Sequence, residues 1–418
     1  MKLVTLLLLI LIAPILSART IEVSPGGTYP SLRPAALAAQ PGDSIVIRAG
    51  VYAGGEHIVN LQGNADRWIV IAAALNETVT IRGGGNAWQF SDPAYLRIQG
   101  IDFEGQTGNG VNIDDGGTIE SPAHHIFIVG CHWRAMNASG NNDQLKMSGV
   151  DSFTVANNIF EDGSTGGSMI DMVGCHNGLF SGNIFERAGS NCIQAKGGTR
   201  YIRIERNRFV EGGGRAINIG GSTGLEFFRP LGANYEAQNI AVFSNIFIGA
   251  DAPIAFVGAI NSIVANNTIW MPERWAIRIL QETTEPNFVQ CGDNAFINNI
   301  VVLDNRADNP TLNVGSNTRP ETFSFRNNLW YNVENASWSG PNLPTPESNG
   351  IIGRDPVISL SNATPPTGSP AIGAGLDLSD PAADYNQRRF LVPRSIGAIE
   401  GGSPALIARP ARTKASPR

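Results

Sequence analysis

The sequence has few charged residues, few cysteines and no long apolar segment after its first eighteen residues. Charged residues make up only 16% of the 418 residues, while glycine occurs 48 times. A chain that is poor in charge and rich in glycine and asparagine favours strands and tight turns over helical bundles. The net charge of −6 argues against a nucleic-acid partner, which requires a basic face. An anionic polysaccharide remains open as a partner, because an acidic protein can contain a local basic groove.

The scarce cysteines and histidines also exclude two kinds of site. The cysteines are Cys131, Cys175, Cys192 and Cys291. Four cysteines are too few for a disulfide framework in a chain of this length. They form no C-x-x-C pair, which argues against structural zinc. Four histidines fit ordinary turn or surface positions better than a metal-ligand set: His124, His125, His132 and His176.

The two ends of the chain differ from the rest. Residues 1–18, MKLVTLLLLILIAPILSA, combine one basic residue, an apolar run and small residues, and predict a secretory signal peptide, with a signal anchor as the alternative. No later segment approaches the ~20 apolar residues of a membrane span. Residues 403–418 predict a disordered basic tail. We therefore expect a secreted or periplasmic monomer with one domain over residues 19–402.

A repeat organises the chain between these ends. Segments such as FTVANNIFEDG (153–163) and LFSGNIFERAG (179–189) share an alternating strand followed by asparagine. The recurrent asparagines are Asn158, Asn183, Asn207, Asn245, Asn267, Asn299 and Asn328. A period of 22 to 25 residues, with longer coils where loops are inserted and without helices, predicts a parallel β-helix. Equivalent residues then stack ~4.8 Å apart, so these asparagines should form an inward, structural hydrogen-bonded ladder.

Three parts of the sequence resemble right-handed parallel β-helix proteins of the pectate-lyase-like superfamily. They are residues 20–52, the Asn-x-Phe coils, and SPAIGAG (369–375) with RSIGAIE (394–400). The resemblance extends over residues 19–402 and implies an all-β fold, a single right-handed parallel β-helix. SLRPAALAAQPGD (31–43), with Ser31 as N-cap, predicts a short helix that caps its N-terminal end. The nearest enzyme family is the one that includes alginate lyases and chondroitinase B, which implies a polysaccharide substrate.

Each coil contains a second strand upstream of its asparagine strand, and these strands align from GVNIDDG (110–116) to AIRILQE (276–282). Because strands alternate with period two, the apolar residues point inward and the residues between them point outward. The outward column is Asn112, Lys146, Asp171, Gln194, Asn218, Ala255 and Arg278, and Lys196 lies in the neighbouring column. An ordinary solvated face with a Lys146–Asp171 ion pair would explain this column. A groove for an oligosaccharide is the alternative, since such side chains hold uronates or sulfates.

Residues around this face complete the predicted site. Candidate substrate-binding residues are Gln194, Asn218, Asn112, Arg215, Arg229, Tyr235, Trp275 and Glu282. Aromatic rings stack on sugars, and arginine binds carboxylates or sulfates. Candidate catalytic residues are Lys196, Lys146, Asp171 and Arg278.

The lyase resemblance assigns the base to a lysine, and Lys196 occupies that position. The family's arginine on the next coil corresponds to Asn218, for which Arg215 and Arg278 are near enough to compensate. Its two acidic calcium ligands correspond to Gly189 and Asn191, so we predict no metal ligands, although the family is compatible with Ca²⁺. Without calcium, Arg278, Gln194 and Asn218 would hold the substrate carboxylate.

Three functions stay open at this stage. The first is a polysaccharide lyase, or a C5-epimerase, that acts on a uronate-containing polysaccharide with a lysine base. The second is a glycoside hydrolase in which Asp171 is one acid and Asp114, Asp115, Asp143 or Glu282 is its partner. The third is a non-catalytic polysaccharide-binding protein or adhesin. We expect the first of these.

Overall fold

The computed structural model describes residues 17–359, 361 and 363–402. Nearly all of the predicted signal peptide and the whole of the predicted tail therefore lie outside the described residues. Within the described part, no helix is long and apolar enough to cross a membrane.

The described residues form a long series of short strands with one α-helix. The first elements are β1 (Thr20–Val23), α1 (Leu32–Ala38), β2 (Ser44–Ile47), β3 (Gly50–Ala53), β4 (Glu56–Val59), β5 (Ile69–Ala73), β6 (Val79–Arg82), β7 (Trp88–Ser91), β8 (Ala94–Gln99), β9 (Asp102–Glu104), β10 (Val111–Asp114), β11 (Ala123–Val129), β12 (His132–Arg134), β13 (Leu145–Ser148), β14 (Val150–Ala156), β15 (Ile159–Glu161), β16 (Ser168–Val173), β17 (His176–Ser181) and β18 (Ile184–Glu186). The later elements are β19 (Asn191–Lys196), β20 (Thr199–Glu205), β21 (Arg208–Val210), β22 (Arg215–Gly220), a 3₁₀ helix (Leu225–Phe227), β23 (Ala237–Phe243), β24 (Ile246–Ile248), β25 (Ala252–Val257), β26 (Ala259–Ile260), β27 (Ile263–Ala265), β28 (Thr268–Trp270), β29 (Ile277–Leu280), β30 (Ala295–Ile297), β31 (Ile300–Leu303), β32 (Leu312–Val314), a 3₁₀ helix (Pro320–Thr322), β33 (Ser324–Arg326), β34 (Leu329–Asn332) and β35 (Ile351–Ile352).

These strands build three parallel sheets that run along the molecule. Sheet A has the order β1-β2-β5-β8-β11-β14-β17-β20-β23-β27-β30-β33, with β26 also paired to β23. Sheet B has the order β3-β6-β9-β12-β15-β18-β21-β24-β28-β31-β34-β35, and sheet C the order β4-β7-β10-β13-β16-β19-β22-β25-β29-β32. Successive strands such as β19, β20 and β21 belong to sheets C, A and B, so each coil contributes one rung to each sheet. The predicted parallel β-helix is confirmed.

The turn from sheet C to sheet A is tight in several coils. After β19 it consists of Gly197 and Gly198, whose φ angles are +65° and +84°. Glycine adopts these angles without the steric penalty that a Cβ would add. The outward residues of sheet C therefore lie close to the start of sheet A. Only the longer turns between the two sheets can cover the edge of sheet C.

The asparagine ladder predicted from the repeat is confirmed. Asn207 Oδ1 accepts hydrogen bonds from the backbone N–H and from Nδ2 of Asn183, both at 2.9 Å. The same pair of bonds joins Asn158 to Asn183 and continues from Asn207 through Asn245. These amides are buried, so each bond satisfies groups that could not reach water.

The interior is packed by stacked rings as well as aliphatic residues. Phe160, Phe185, Phe209 and Phe247 follow one another in sheet B with ring centroids 4.7 to 5.1 Å apart. All four are buried. The parallel pairing holds equivalent side chains in register, and the large buried rings supply much of the apolar area that stabilises the stack.

The predicted capping helix forms, but the acceptor that binds its first backbone N–H groups is not the predicted one. Ser31 occupies the N-cap position without a side-chain cap bond, and its hydroxyl donates to Glu56 Oε1 at 2.6 Å. Glu56 instead accepts from the backbone N–H groups of Leu32 and Arg33, at 3.1 and 2.9 Å. A carboxylate from β4 therefore satisfies the helix donors, which sequence-local capping rules do not anticipate.

The C-terminal segment covers the outer faces of the later coils. Ala371 and Ile396 pack on Ile300, Val302 and Leu329 of sheet B. Leu376 and Leu378 pack near Phe243, Ala265 and Ile297 of sheet A. The SPAIGAG and RSIGAIE motifs thus contribute to this outer layer rather than to further coils, and the outward residues of sheet C are left as the candidate surface.

Candidate functional site

The register of sheet C aligns the predicted outward residues. Asn112, Lys146, Asp171, Gln194, Asn218, Ala255 and Arg278 are successive Cα partners from β10 to β29. Lys196 pairs with Val173 and therefore lies in the neighbouring column. The inward residues between them, such as Ile193 and Ala195, are buried. The alternation inferred from the sequence thus describes this face correctly.

Two of the four lysines in the chain converge on one carboxylate. Asp171, on β16, has its Oδ2 3.2 Å from Lys146 Nζ on β13. Its Oδ1 lies 3.4 Å from Lys196 Nζ on β19. Asp143, just before β13, lies 3.1 Å from Lys146 Nζ through its Oδ2. The result is a four-residue charge cluster of two lysines and two aspartates.

Exposure separates the cations of this cluster from its anions. The Asp143 and Asp171 side chains are 0% and 1% exposed. The Lys146 and Lys196 side chains are 22% and 13% exposed. A molecule on sheet C would therefore meet the lysines first, while the carboxylates hold the lysines from below.

The cluster also shifts the pKa values of Asp143 and Lys146. Burial raises the pKa of Asp143 above its usual value, and the neighbouring Asp171 carboxylate raises it further. Burial lowers the pKa of Lys146, but Asp171 and Asp143 outweigh burial, so the net shift is upward. Lys146 is accordingly a stable cation that suits binding an anion better than accepting a proton.

The strand of Lys196 also carries two amide side chains, Asn191 and Gln194. Gln194 Oε1 accepts from Ser168 Oγ and from Asn191 Nδ2, each at 3.2 Å. A Cβ added to Gly221 would come within 2.6 Å of Gln194 Nε2 and 3.3 Å of the Lys196 Cδ atom. The glycine therefore lets the following loop close against these two side chains.

A buried carboxylate holds that loop beside Lys196. Glu236 accepts from the backbone N–H of Gly197 at 2.8 Å, and from the backbone N–H of Thr223 at 3.0 Å. It also accepts from the hydroxyls of Thr223 and Thr283. Sequence reasoning did not select Glu236 or Ser168, and no local motif marks them, because Gly197, Thr283 and Gln194, to which they bind, come from other coils.

Arg215 and Glu282 form an ion pair across the sheet. Arg215 Nη2 lies 2.7 Å from Glu282 Oε1, and Nη1 donates to Asn218 Oδ1 at 3.2 Å. Asn218 itself is 1% exposed. The structure thus brings these three predicted binding residues together, but places the amide of Asn218 beneath the arginine.

Arg278 lies further along the same face. It donates through Nε to Asn313 Oδ1 at 2.9 Å, and its guanidinium carbon lies 4.6 Å from the Trp275 ring centroid. Arg274 lies over the same ring at 4.0 Å. Burial lowers the pKa of Arg278, and the positive charge of Arg215 adds to this. Arg278 is three rungs, ~14 Å, from the Lys196 rung, so the two groups cannot act on the same sugar carboxylate.

Asn112 extends the polar floor in the opposite direction. Its Nδ2 donates to Gln89 Oε1 at 2.7 Å, and Gln89 in turn donates to Asp114 Oδ2. The Asp114 carboxylate therefore binds Gln89 on β7, on the side away from Asp171. The hydrolase pairing between Asp171 and Asp114 or Asp115 gains no support from these contacts.

Two predicted binding residues do not reach this face. Arg229 binds Asp151 through both terminal nitrogens at 2.7 Å, and its Nη1 lies 3.1 Å from His176 Nδ1. Tyr235 is buried, at 8% exposure. Arg229 lines a separate depression of about 610 Å³ with Asp151 and Arg200. Asp151 lies on β14 of sheet A, so the part of the long loop after β22 that contains Arg229 is held there, away from the lysines.

The two acidic calcium ligands that the lyase resemblance implies are absent here. Gly189 has no side-chain ligand, and Asn191 donates its amide to Gln194 and Ser168. Among the described residues, no group of three or more His, Cys, Asp or Glu side chains is arranged to hold a metal ion. The residues present therefore do not fit a calcium ion at that position.

Comparisons with known proteins address the fold. A family described as "Right handed beta helix region" matches residues 79–231. No curated protein matches the sequence. The chain has a right-handed β-helix fold.

Solved structures extend this similarity over most of the chain. The complex of XylC with xylose has a TM-score of 0.56 at 11% identity, and covers 92% of this chain and 99% of that one. Pectate lyase Pel9A has a TM-score of 0.50 at 14% identity, and covers 93% and 98%. The tailspike protein of E. coli bacteriophage HK620, in complex with a pentasaccharide, has a TM-score of 0.51 at 13% identity, and covers 76% and 60%. At these identities the likeness establishes the fold, and the site must be argued from its own residues.

Proposed function

We propose that this protein is a secreted, carbohydrate-active β-helix protein that cleaves a uronate-containing polysaccharide by β-elimination on sheet C. C5-epimerisation would begin with the same proton abstraction and belongs to the same proposal. The observation that carries it is the pair of groove-facing lysines held by the buried Asp171. Structurally similar proteins named a pectate lyase, a xylose complex and a pentasaccharide complex support a saccharide ligand for this fold.

The residues divide the chemistry between them. Lys146, held as a cation by two carboxylates, would pair with the uronate carboxylate together with the amide of Gln194. Lys196, which contacts only one carboxylate of the cluster at 3.4 Å, would remove the proton beside that carboxylate. As the C–O bond to the leaving sugar breaks, the proton on Lys196 would pass to the leaving oxygen. Because only neutral lysine accepts a proton, activity should rise toward alkaline pH.

The hydrolase alternative receives less support from the same cluster. Asp143 and Asp171 both contact Lys146 Nζ, at 3.1 and 3.2 Å, so their Oδ2 atoms are at most about 6.3 Å apart. This upper limit is below the ~6.5–9.5 Å of inverting enzymes, and it is compatible with the ~5–5.5 Å of retaining enzymes. Both carboxylates are buried beneath the lysines, however, and a glycosidic oxygen would have to displace a lysine to reach either one.

The test is a screen of purified protein on alginate, pectate, chondroitin and a neutral glycan. Elimination creates a conjugated double bond that absorbs near-ultraviolet light, together with one new reducing end per cleavage. We expect both signals on at least one uronate polymer and neither on the neutral glycan. Reducing ends without absorbance would indicate hydrolysis. Exchange of the C5 proton with solvent deuterium without either signal would indicate epimerisation, and binding without exchange or either signal would indicate a non-catalytic binding protein.

Variants of Lys196 sharpen this test. Lys196→Arg keeps the positive charge, but an arginine does not give up its proton at working pH. We expect Lys196→Arg to bind the polymer and not to cleave it, while Lys146→Ala weakens binding. Arg326→Ala, an exposed change on sheet A, is the matched control and should behave as the wild type. Full activity in Lys196→Arg would exclude Lys196 as the base.

A further inference from the structure

The outward face of sheet C is open on one side of Lys196 and covered on the other. Toward the N-terminus, Asn112 and Gln89 are partly exposed and His57 is exposed. On the next rung after Lys196, Asn218 is 1% exposed, and on the rung after that Ala255 and Val257 are both fully buried. A residue that points outward from a sheet is buried only where something lies on top of it. Between β19 and β25 the outward residues of sheet C therefore become covered by other parts of the protein.

The Arg215–Glu282 pair forms one part of the cover. Arg215 lies on β22, and Glu282 follows the end of β29. Because β25 lies between these strands, the 2.7 Å contact between them bridges the rung that carries Ala255. The bond from Arg215 to Asn218 extends the same cover over β22.

Two long turns from sheet C to sheet A form the rest. The turn after β22 and the turn after β29 are fastened to each other where the backbone N–H of Val289 donates to the Asn234 carbonyl at 2.8 Å. Phe228 and Phe288 meet edge to face, with ring centroids 5.4 Å apart. Thr283 donates to Glu236, which also binds the turn next to Lys196. The cover is thus a packed wall with buried polar and aromatic contacts.

We propose that this wall makes the groove blind, so that the protein acts on the ends of polysaccharide chains. This inference rests on the proposed function and adds the mode of action to it. Only about one rung, ~4.8 Å, separates Lys196 from the wall, whereas five rungs extend from β19 to β4 on the open side. The interior of a long chain would have to continue through the wall, but a chain end can stop against it. The substrate class is a uronate polymer with an accessible end, and the products are short.

The experiment compares bond cleavage with viscosity for the wild-type protein. Cleavage from ends releases absorbing product while viscosity falls slowly, and short oligosaccharides appear from the first time point. A steep early fall in viscosity, with long fragments as the first products, would overturn the inference while leaving elimination intact. Absence of absorbance on every uronate polymer would instead count against the proposed function.

The wall itself is tested with Arg215→Ala/Glu282→Ala. We expect this double variant to break internal bonds, with a several-fold greater loss of viscosity per bond cleaved than the wild type. Arg82→Ala, which removes the Arg82–Glu104 ion pair on sheet B, is the control and should keep the wild-type product pattern. A folded double variant that still released only short products would show that the ion pair does not close the groove.

Binding provides a readout that does not depend on turnover. The wild-type protein is titrated at low temperature with uronate chains of several lengths. A blind groove saturates at a fixed number of protein molecules per chain end, whatever the chain length. Saturation in proportion to chain length would overturn the inference, and so would failure to bind any chain.

Discussion

Asp171 Oδ1 lies 3.4 Å from Lys196 Nζ, while the other oxygen of the same carboxylate lies 3.2 Å from Lys146. The carboxylate is buried and both ammonium groups reach the groove. Asp171, on β16, thus determines the positions of two cations on the strands that flank it, β13 and β19. It is a positioning residue in the proposed elimination, because a bound sugar would contact the lysines above it.

Replacing Asp171 tests this arrangement. Asp171→Asn leaves two partly buried cations without their shared counter-ion, and we expect a loss of about 3 kcal/mol in the free energy of unfolding. Turnover should fall, because the two ammonium groups lose the carboxylate that fixes their positions, and Asp171→Glu should restore part of it. Urea unfolding and the turnover of both variants measure these effects. Wild-type turnover in a folded Asp171→Asn variant would contradict the positioning role.

The stability of the protein should decrease as the pH falls below about 6.5, in part because of His176. Burial lowers the pKa of His176 from 6.5, and the positive charge of Arg229 lowers it further, while Asp151 opposes them and Arg200 supports them. Since the unfolded chain then binds the proton more tightly, this contribution is complete above the unfolded pKa. It is lost as the pH falls from there toward the folded pKa.

The measurement is the free energy of unfolding of the wild type and of His176→Asn between pH 5 and 8. We expect a smaller decrease at low pH for the variant, so the difference between the two curves isolates His176. Burial and His124 also lower the pKa of His125, which contributes to the wild-type curve but cancels in the difference. Parallel curves for the two proteins would rule out His176 as a contributor.

The asparagine ladder should respond strongly to a single deletion. Asn207→Ala removes the acceptor of two bonds from Asn183, and the donor of bonds to the Phe180 carbonyl and Asn245. Each buried group left without a partner costs about 1–3 kcal/mol, so we expect a loss of several kcal/mol in urea unfolding. Asn137→Ala, at an exposed position, is the control and should change stability by less than about 0.5 kcal/mol. Equal effects of the two substitutions would refute a structural role for the ladder.

The aromatic stack offers a second matched pair of phenylalanines. Phe185 is buried between Phe160 and Phe209, with centroid distances of 5.1 and 4.8 Å. Phe185→Ala should cost about 3–5 kcal/mol, because it removes apolar contacts and leaves a cavity. Phe227→Ala, at a residue that is 63% exposed, should be nearly neutral. Thermal or urea unfolding of the two variants makes the comparison.

Local periodicity was sufficient to predict much of the site. The alternation in CIQAKGG and DQLKMSG correctly placed Lys196, Lys146 and Gln194 on one outward face, since a strand's side chains alternate whatever surrounds it. The loop residues could not be placed in the same way. Arg229 binds a residue 78 positions earlier in the chain, and no pattern near Arg229 encodes that partner.

The sequence by itself determined the repeat, the strands, the asparagine ladder and the order of residues along sheet C. These follow from short-range rules, because the coil repeats and each strand alternates with period two. Only the tertiary structure decided which charges are exposed, that Glu56 rather than Ser31 binds the helix donors, and that the outward residues Asn218 and Ala255 are buried. The physical reason is that these outcomes depend on side chains from different coils, whose contacts are set by the packing of long turns.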